Sequence, residues 1–89
     1  SDVTASPPEA WAPLLGRYHD REDGSVISIE FRGGGLVCVH SATEPPLRLE
    51  RTGEPDLFTF ELDEWRFVRD ASGRVIAVNA HGYPLHKEE

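Results

Sequence analysis

Residues 26–40 read VISIEFRGGGLVCVH, two runs of β-forming residues joined by three glycines. In the first run Ile27, Ile29 and Phe31 alternate with polar side chains, which is the period of a strand with one buried face. The glycines supply the positive φ angles that a tight turn needs. This stretch therefore predicts a β-hairpin with its turn at the glycines.

The alternating pattern of the hairpin continues almost to the end of the chain. Turn-forming clusters separate further short apolar runs at intervals of about eight to twelve residues. We expect further strands over 47–50, around Phe58 and Phe60, over 65–69 and 75–80, and around Tyr83 and Leu85, with a tight turn at Asp63-Glu64. Because the connections are short, neighbours in sequence should pair in space, which gives an up-and-down order.

The N-terminal part carries the one helical signal. Ser6-Pro7-Pro8-Glu9 combines a capping residue, a proline suited to a first helical turn and a capping-box glutamate. Gly16 stands where a left-handed cap is wanted, so the pattern predicts a helix over 7–15. Residues 1–5 are expected to be a frayed tail or a cloning scar. The chain contains no Met, so we expect the natural protein to extend upstream of Ser1.

Eighty-nine residues suffice for one hydrophobic core, so residues 6–89 are expected to be a single domain. The predicted fold class is all-β: a small antiparallel up-and-down barrel or strongly curved sheet of about seven or eight strands, with one short N-terminal helix. The side chains expected to face inward are bulky: Ile27, Ile29, Phe31, Leu36, Leu47, Leu49, Phe58, Phe60, Trp65 and Phe67. They would fill so small an interior, so no deep pocket is expected.

Composition excludes some partners. The net charge of −7 repels phosphate backbones and anionic lipid, and the basic residues are scattered, so we expect neither nucleic-acid nor membrane binding. No apolar run is long enough for a membrane helix, and no signal-peptide pattern is present. The lone Cys38 can form no internal disulfide. A single cysteine does not indicate whether the protein functions in a reducing or an oxidising compartment, and we favour the cytoplasm slightly.

No catalytic motif accounts for an enzyme activity. A Ser-x-x-Lys nucleophile is missing, because the only lysine is Lys87 and Pro84 stands three residues before it. Cys38 and His40 lie two apart on a strand and could form a thiolate–imidazole pair. No third group is placed to orient the histidine, so we expect a buried cysteine and a histidine at the strand end.

The same search predicts neither a metal nor a cofactor. The histidines have no ligand spacing and should be surface residues: His19, His40, His81 and His86. The acidic stretch Asp20, Glu22 and Asp23 lacks the ligand order of a calcium loop and should be a solvated turn. Carboxylates at Glu61, Asp63 and Glu64 belong to a turn rather than to a cleft.

Three segments resemble a known family. Leu14-Leu15-Gly16-Arg17-Tyr18 follows a short helix, Val26-Ile27-Ser28-Ile29 leads into the glycine turn, and residues 67–75 read FVRDASGRV. Together they resemble the lipocalin-like C-terminal domain of many bacterial β-lactamase-related serine hydrolases, the class C β-lactamase and penicillin-binding-protein homologues. The similarity covers roughly residues 12–86.

The resemblance implies a non-catalytic accessory domain that packs beside an N-terminal serine hydrolase domain of the same polypeptide, or that mediates a homodimer. Alternation places an exposed apolar patch opposite the core, formed by Val26, Val37, Val39, Ile76 and Val78. Two alternatives remain open. One is a lipocalin-type barrel that binds a small apolar ligand, and the other is a thiol-dependent enzyme that uses Cys38.

Overall fold

The structure is a computed structural model that describes residues 8–88. Eight strands follow one another along the chain: β1 Gly16–His19, β2 Val26–Arg32, β3 Gly35–Val39, β4 Leu47–Arg51, β5 Leu57–Phe60, β6 Asp63–Arg69, β7 Val75–Ala80 and β8 Tyr83–Lys87. Each strand pairs antiparallel with the next, and β8 pairs with β1 to close a barrel. The predicted all-β, up-and-down barrel is confirmed.

The glycine turn predicted between β2 and β3 is present. Gly33 and Gly34 form its two central positions with φ angles of 59° and 79°. Positive φ at both central residues matches the right-handed twist of the flanking strands, and glycine adopts it without strain. Gly35 already belongs to β3, where it pairs with Arg32. The turn therefore sets the register that places Ile29 beside Cys38 in the interior.

The turn between β5 and β6 lies two residues earlier than the sequence predicts. Glu61 and Leu62 form it, with φ of 57° at Glu61, whereas Asp63 and Glu64 pair with β5 as the first residues of β6. The prediction of a turn at Asp63-Glu64 is wrong because acidic residues mark turns and strand ends equally well.

The helix predicted over 7–15 is also reduced. Residue 7 lies outside the described part, and the helical segment is a single 3₁₀ turn over Ala12–Leu14. Pro13 explains the difference, because it lacks an N–H donor and disfavours the α conformation of the residue before it. Gly16, expected as a left-handed cap, instead opens β1 with φ of 141° and pairs with Ile29.

The interior of the barrel is filled by side chains from every strand. The buried cluster consists of Leu14, Tyr18, Ile29, Leu36, Cys38, Leu49, Phe58, Trp65, Phe67, Val75 and Val78, with Ile27, Leu47 and Phe60 partly buried against it. Phe58 and Phe67 meet edge to face with ring centroids 5.8 Å apart. Trp11 lies against Phe31 and Phe58 at 6.0 and 5.8 Å, so it covers one end of the core.

Tyr18 connects the N-terminal segment to this core. Its hydroxyl donates a 2.7 Å hydrogen bond to the backbone oxygen of Leu14, and its ring packs edge to face on Phe67. Both Tyr18 and Leu14 are fully buried. Burial raises the pKa of the Tyr18 phenol well above its usual range, and the positive charge of Arg69 opposes that rise.

We predict that Tyr18→Phe destabilises the protein by about 1–3 kcal/mol, because the buried oxygen of Leu14 loses its only described side-chain donor. Urea unfolding followed by circular dichroism measures the change. Tyr83→Phe is the matched control, since Tyr83 is 67% exposed and its replacement should leave the free energy of unfolding unchanged. Equal effects of the two substitutions would contradict the role given to Tyr18.

The raised pKa of Tyr18 gives a second prediction. The unfolded chain releases this proton near pH 10, but the folded protein retains it. The stabilisation is therefore complete below about pH 10 and is lost as the pH rises above it. Wild-type stability should fall more steeply above pH 10 than that of Tyr18→Phe in parallel urea titrations, and identical slopes would sink this explanation.

Candidate functional site

The five residues of the predicted apolar patch differ in how exposed they are and in the side of the sheet that they face. Val26 and Ile76 are 37% and 42% exposed, and Val39 is half-buried. Val37 faces outward but is only 5% exposed, because it lies between the long side chains of its paired residues Glu30 and Arg48 on the neighbouring strands.

The prediction that Val78 is exposed is wrong. Its side chain is fully buried in the core and pairs with Phe67 and Leu85. The register of β6 and β7 shifts between Val68 and Arg69, and this bulge leaves Ile76 without a partner. One extra residue reverses the alternation, so Ile76 and Val78 point to opposite sides of the sheet. The five residues therefore do not form one patch.

The exposed apolar side chains concentrate at one end of the barrel instead. In an up-and-down barrel alternate connections lie at the same end, here the four segments 20–25, 40–46, 61–62 and 81–82, which we call the hairpin end. Leu62 is 98% exposed within one of these turns, and Tyr83, 67% exposed, follows another. Val26 is the first residue after a third. Sequence reasoning missed Leu62 and Tyr83, although an apolar residue inside a turn was a usable signal.

The hairpin end is acidic as well as apolar. Asp20 and Asp23 stand in the connection before β2, and their carboxylates accept hydrogen bonds from backbone and side-chain groups of the same turn, at 2.7 Å from Glu22 N and from Ser25 Oγ. These bonds confirm the predicted solvated turn. Asp63 and His81 join two hairpins through a 2.8 Å contact between Oδ1 and Nδ1. The hairpin end therefore carries both exposed apolar side chains and carboxylates.

Cys38 and His40 do not form a thiolate–imidazole pair. The Cys38 side chain is 1% exposed within the core, and its burial raises the pKa of the thiol to about 11. His40 follows the end of β3, and its Nδ1 lies 3.3 Å from Oε1 of Glu44. A thiol held protonated in an apolar core is a poor nucleophile. The cysteine therefore acts as a packing residue.

The histidines are distributed around the surface. His19 and His86 are neighbours across the pair β1–β8, with ring centroids 6.3 Å apart. Within residues 8–88 no three histidine, cysteine or carboxylate side chains come close enough together to hold a metal ion. In the same part of the chain, no helix has the length and apolar character needed to cross a membrane.

Several depressions mark the outer surface and the ends of the barrel. One of about 300 Å³ lies at the end covered by Trp11, between that residue and the segment from Arg51 to Pro55. Another of about 730 Å³ follows the outside of β8 beside the closing pair β1–β8, and we call it the seam groove. Each depression touches the buried cluster at one residue, Phe58 in the first and Val75 in the second.

In comparisons with known proteins, no protein-family model and no curated protein matches the chain.

We predict that native Cys38 reacts with a thiol reagent at pH 8 at least about 100-fold more slowly than the unfolded chain, since a pKa of about 11 instead of 9.0 lowers the thiolate fraction by about that factor. Absorbance during incubation with an aromatic disulfide measures the rate. The chain unfolded in guanidinium is the positive control, and Cys38→Ser is the blank. Rapid labelling of the native protein would revive the thiol-dependent enzyme.

Proposed function

We propose that this barrel is a non-catalytic accessory domain, which packs through its hairpin end on a serine hydrolase domain of the same polypeptide. The observation that carries the proposal is the exposure of Val26, Leu62 and Tyr83 at one end of a barrel whose interior is filled. Exposed apolar side chains gathered in one region commonly mark a protein–protein contact. The sequence resemblance to the C-terminal domains of β-lactamase-related hydrolases supports the choice of partner.

The charged residues at the margin of the hairpin end indicate which kind of partner surface would be complementary to it. Carboxylates stand in the same connections as the exposed apolar side chains or next to them, among them Asp20, Glu22, Asp23 and Glu61. Interfaces combine an apolar centre with a polar margin, and opposite charges at the margin set orientation and association rate. The partner surface should therefore present an apolar depression bordered by arginine or lysine. A hydrolase domain that carries such a region next to its active-site mouth would be buttressed or partly shaded by the barrel.

A lipocalin-type carrier is less well supported. Such a carrier needs an internal cavity, whereas the largest side chains of this barrel, Tyr18 and Phe58 among them, stand in the interior at 0% and 1% exposure. Trp11 and its aromatic contacts cover one end. Ligand entry would require the displacement of several packed aromatic groups.

The proposal predicts that the hydrolase domain of the natural polypeptide unfolds at a lower temperature when the barrel is deleted. The same loss should follow Leu62→Ser with Tyr83→Ser, because each replaces an apolar contact by a hydroxyl. A domain of 150–250 residues should lose about 2–4 °C for each kcal/mol of docking removed. Differential scanning calorimetry measures this, with hydrolysis of a chromogenic ester or β-lactam as the readout of activity.

Ala71→Ser is the matched control, since Ala71 is exposed in the connection between β6 and β7 at the opposite end. It should change neither the unfolding temperature nor the activity.

The coding region upstream of Ser1 should specify a Ser-x-x-Lys motif, and its absence would end the assignment to a hydrolase. If concentration-dependent dimers form through Leu62 and Tyr83 while the hydrolase is unaffected, the surface serves self-association and the proposed partner is wrong.

A further inference from the structure

Three connections of the barrel are two-residue hairpin turns, and one of them departs from the turn chemistry of the other two. Gly33-Gly34 and His81-Gly82 have positive φ at both positions, which glycine and, to a lesser degree, histidine tolerate. In Glu61-Leu62 the positive φ is at Glu61 alone, with a value of 57°. Two-residue hairpins of that kind prefer glycine at the first position. Glu61 is therefore held in an unfavourable backbone conformation.

The same turn carries an apolar side chain that is almost completely exposed. Leu62 is 98% exposed, compared with 67% for Tyr83 and 42% for Ile76. Backbone strain and apolar exposure are independent departures from a stable, soluble turn, because a polar turn that contains glycine would remove both. Positions that break local rules in this way concentrate at functional sites. The two observations together indicate that this turn makes a contact.

Neighbouring groups hold the turn in place. Phe60 and Asp63 pair with each other on either side of it. Asp63 Oδ1 lies 2.8 Å from His81 Nδ1, and His81 N donates a 3.0 Å hydrogen bond to Glu64 O, so the turn is joined to the adjacent hairpin. A side chain presented on a fixed backbone has less conformational entropy to lose when it binds. Leu62 is therefore preorganised for a contact.

The charge around the turn indicates the chemistry of the surface that it meets. The four connections of the hairpin end hold five carboxylates and one arginine, a formal charge of −4 with the histidines neutral, out of −7 for the whole chain. Glu61 is one of these carboxylates, and within residues 8–88 it takes part in no ion pair. A basic group on the partner would therefore be complementary to it.

We propose that the Glu61-Leu62 turn anchors the hairpin end on the hydrolase domain. Leu62 enters an apolar pocket of that domain, and Glu61 pairs with an arginine or lysine at the edge of the pocket. This inference rests on the proposed function and names the residues that carry it. A few well-packed side chains supply most of the energy of an interface, whereas a charge at its margin chiefly sets orientation and rate. At this turn, docking and the stability of the barrel therefore favour different residues.

The first measurement is urea unfolding of the barrel alone. Glu61→Gly should raise the urea midpoint by about 0.5 M, because glycine adopts the positive φ without strain. Glu61→Gln is the matched control, since it removes the charge, keeps the unfavourable φ and should leave the midpoint unchanged. A midpoint of Glu61→Gly at or below that of the wild type would overturn the proposal, because the strain is one of its two supports.

The second measurement is scanning calorimetry of the full polypeptide. Leu62→Asn should lower the unfolding temperature of the hydrolase domain by about 4 °C, and Glu61→Gln should lower it less, by an amount that disappears at high salt. Glu61→Gly should lower it too, although the same change stabilises the barrel. A purely structural role would shift both transitions in one direction. Ile76→Asn is the matched control, because it removes an exposed apolar side chain outside the hairpin end.

The outcomes separate this inference from the proposed function. A hydrolase domain that is destabilised by deletion of the barrel but not by Leu62→Asn would overturn the role of the turn and leave the docking intact. An equal loss with Ile76→Asn would overturn it as well, because the effect would then not be specific to the turn. Deletion of the barrel without any effect would remove the hydrolase as the partner, and the inference would fall with it.

Discussion

The closure of the sheet between β1 and β8 is the constraint on which the other features depend. Among residues 8–88 two residue pairs make this contact, Tyr18 with Lys87 and His19 with His86, extended by a 2.8 Å hydrogen bond from Glu88 N to Arg17 O. An open eight-stranded sheet would leave two edges of unpaired backbone groups and an interior accessible from one side. Closure removes both edges and fixes an interior that its own side chains fill.

Tyr18 shows how this seam organises the core. On one side it pairs with Lys87, on the other it lies opposite Ile27 of β2, and its ring reaches across the interior to Phe67. Its hydroxyl holds the oxygen of Leu14, so the segment before β1 is drawn over the end of the barrel. Burial of a phenol is favourable only when its hydroxyl is paired. The same residue therefore closes the barrel and covers it.

The sequence was sufficient for the features that depend on local pattern. The alternation of apolar and polar residues predicted the bounds of β2 and β7, and the three glycines predicted the turn after β2. Both predictions succeed because side-chain direction and positive φ depend on a few adjacent residues. Pro13 lay within the helical pattern and shortened it to a single turn. The bulge opposite Arg69 depends on a register between two strands, so alternation placed Val78 on the wrong face. The seam groove brings together residues from near the two ends of the chain. No pattern among adjacent residues could have predicted that His19 and Lys87 line the same depression.

The seam is also a part of the sheet that few backbone pairs hold together. Among the described residues β1 and β8 share two residue pairs, the same number as β4 and β5, whereas the other neighbouring strands share three or more. Tyr18 supplies one of the two pairs at the seam, and its buried ring and hydroxyl contact Phe67 and Leu14. The side-chain contacts of this one residue therefore add to a closure that rests on two backbone pairs.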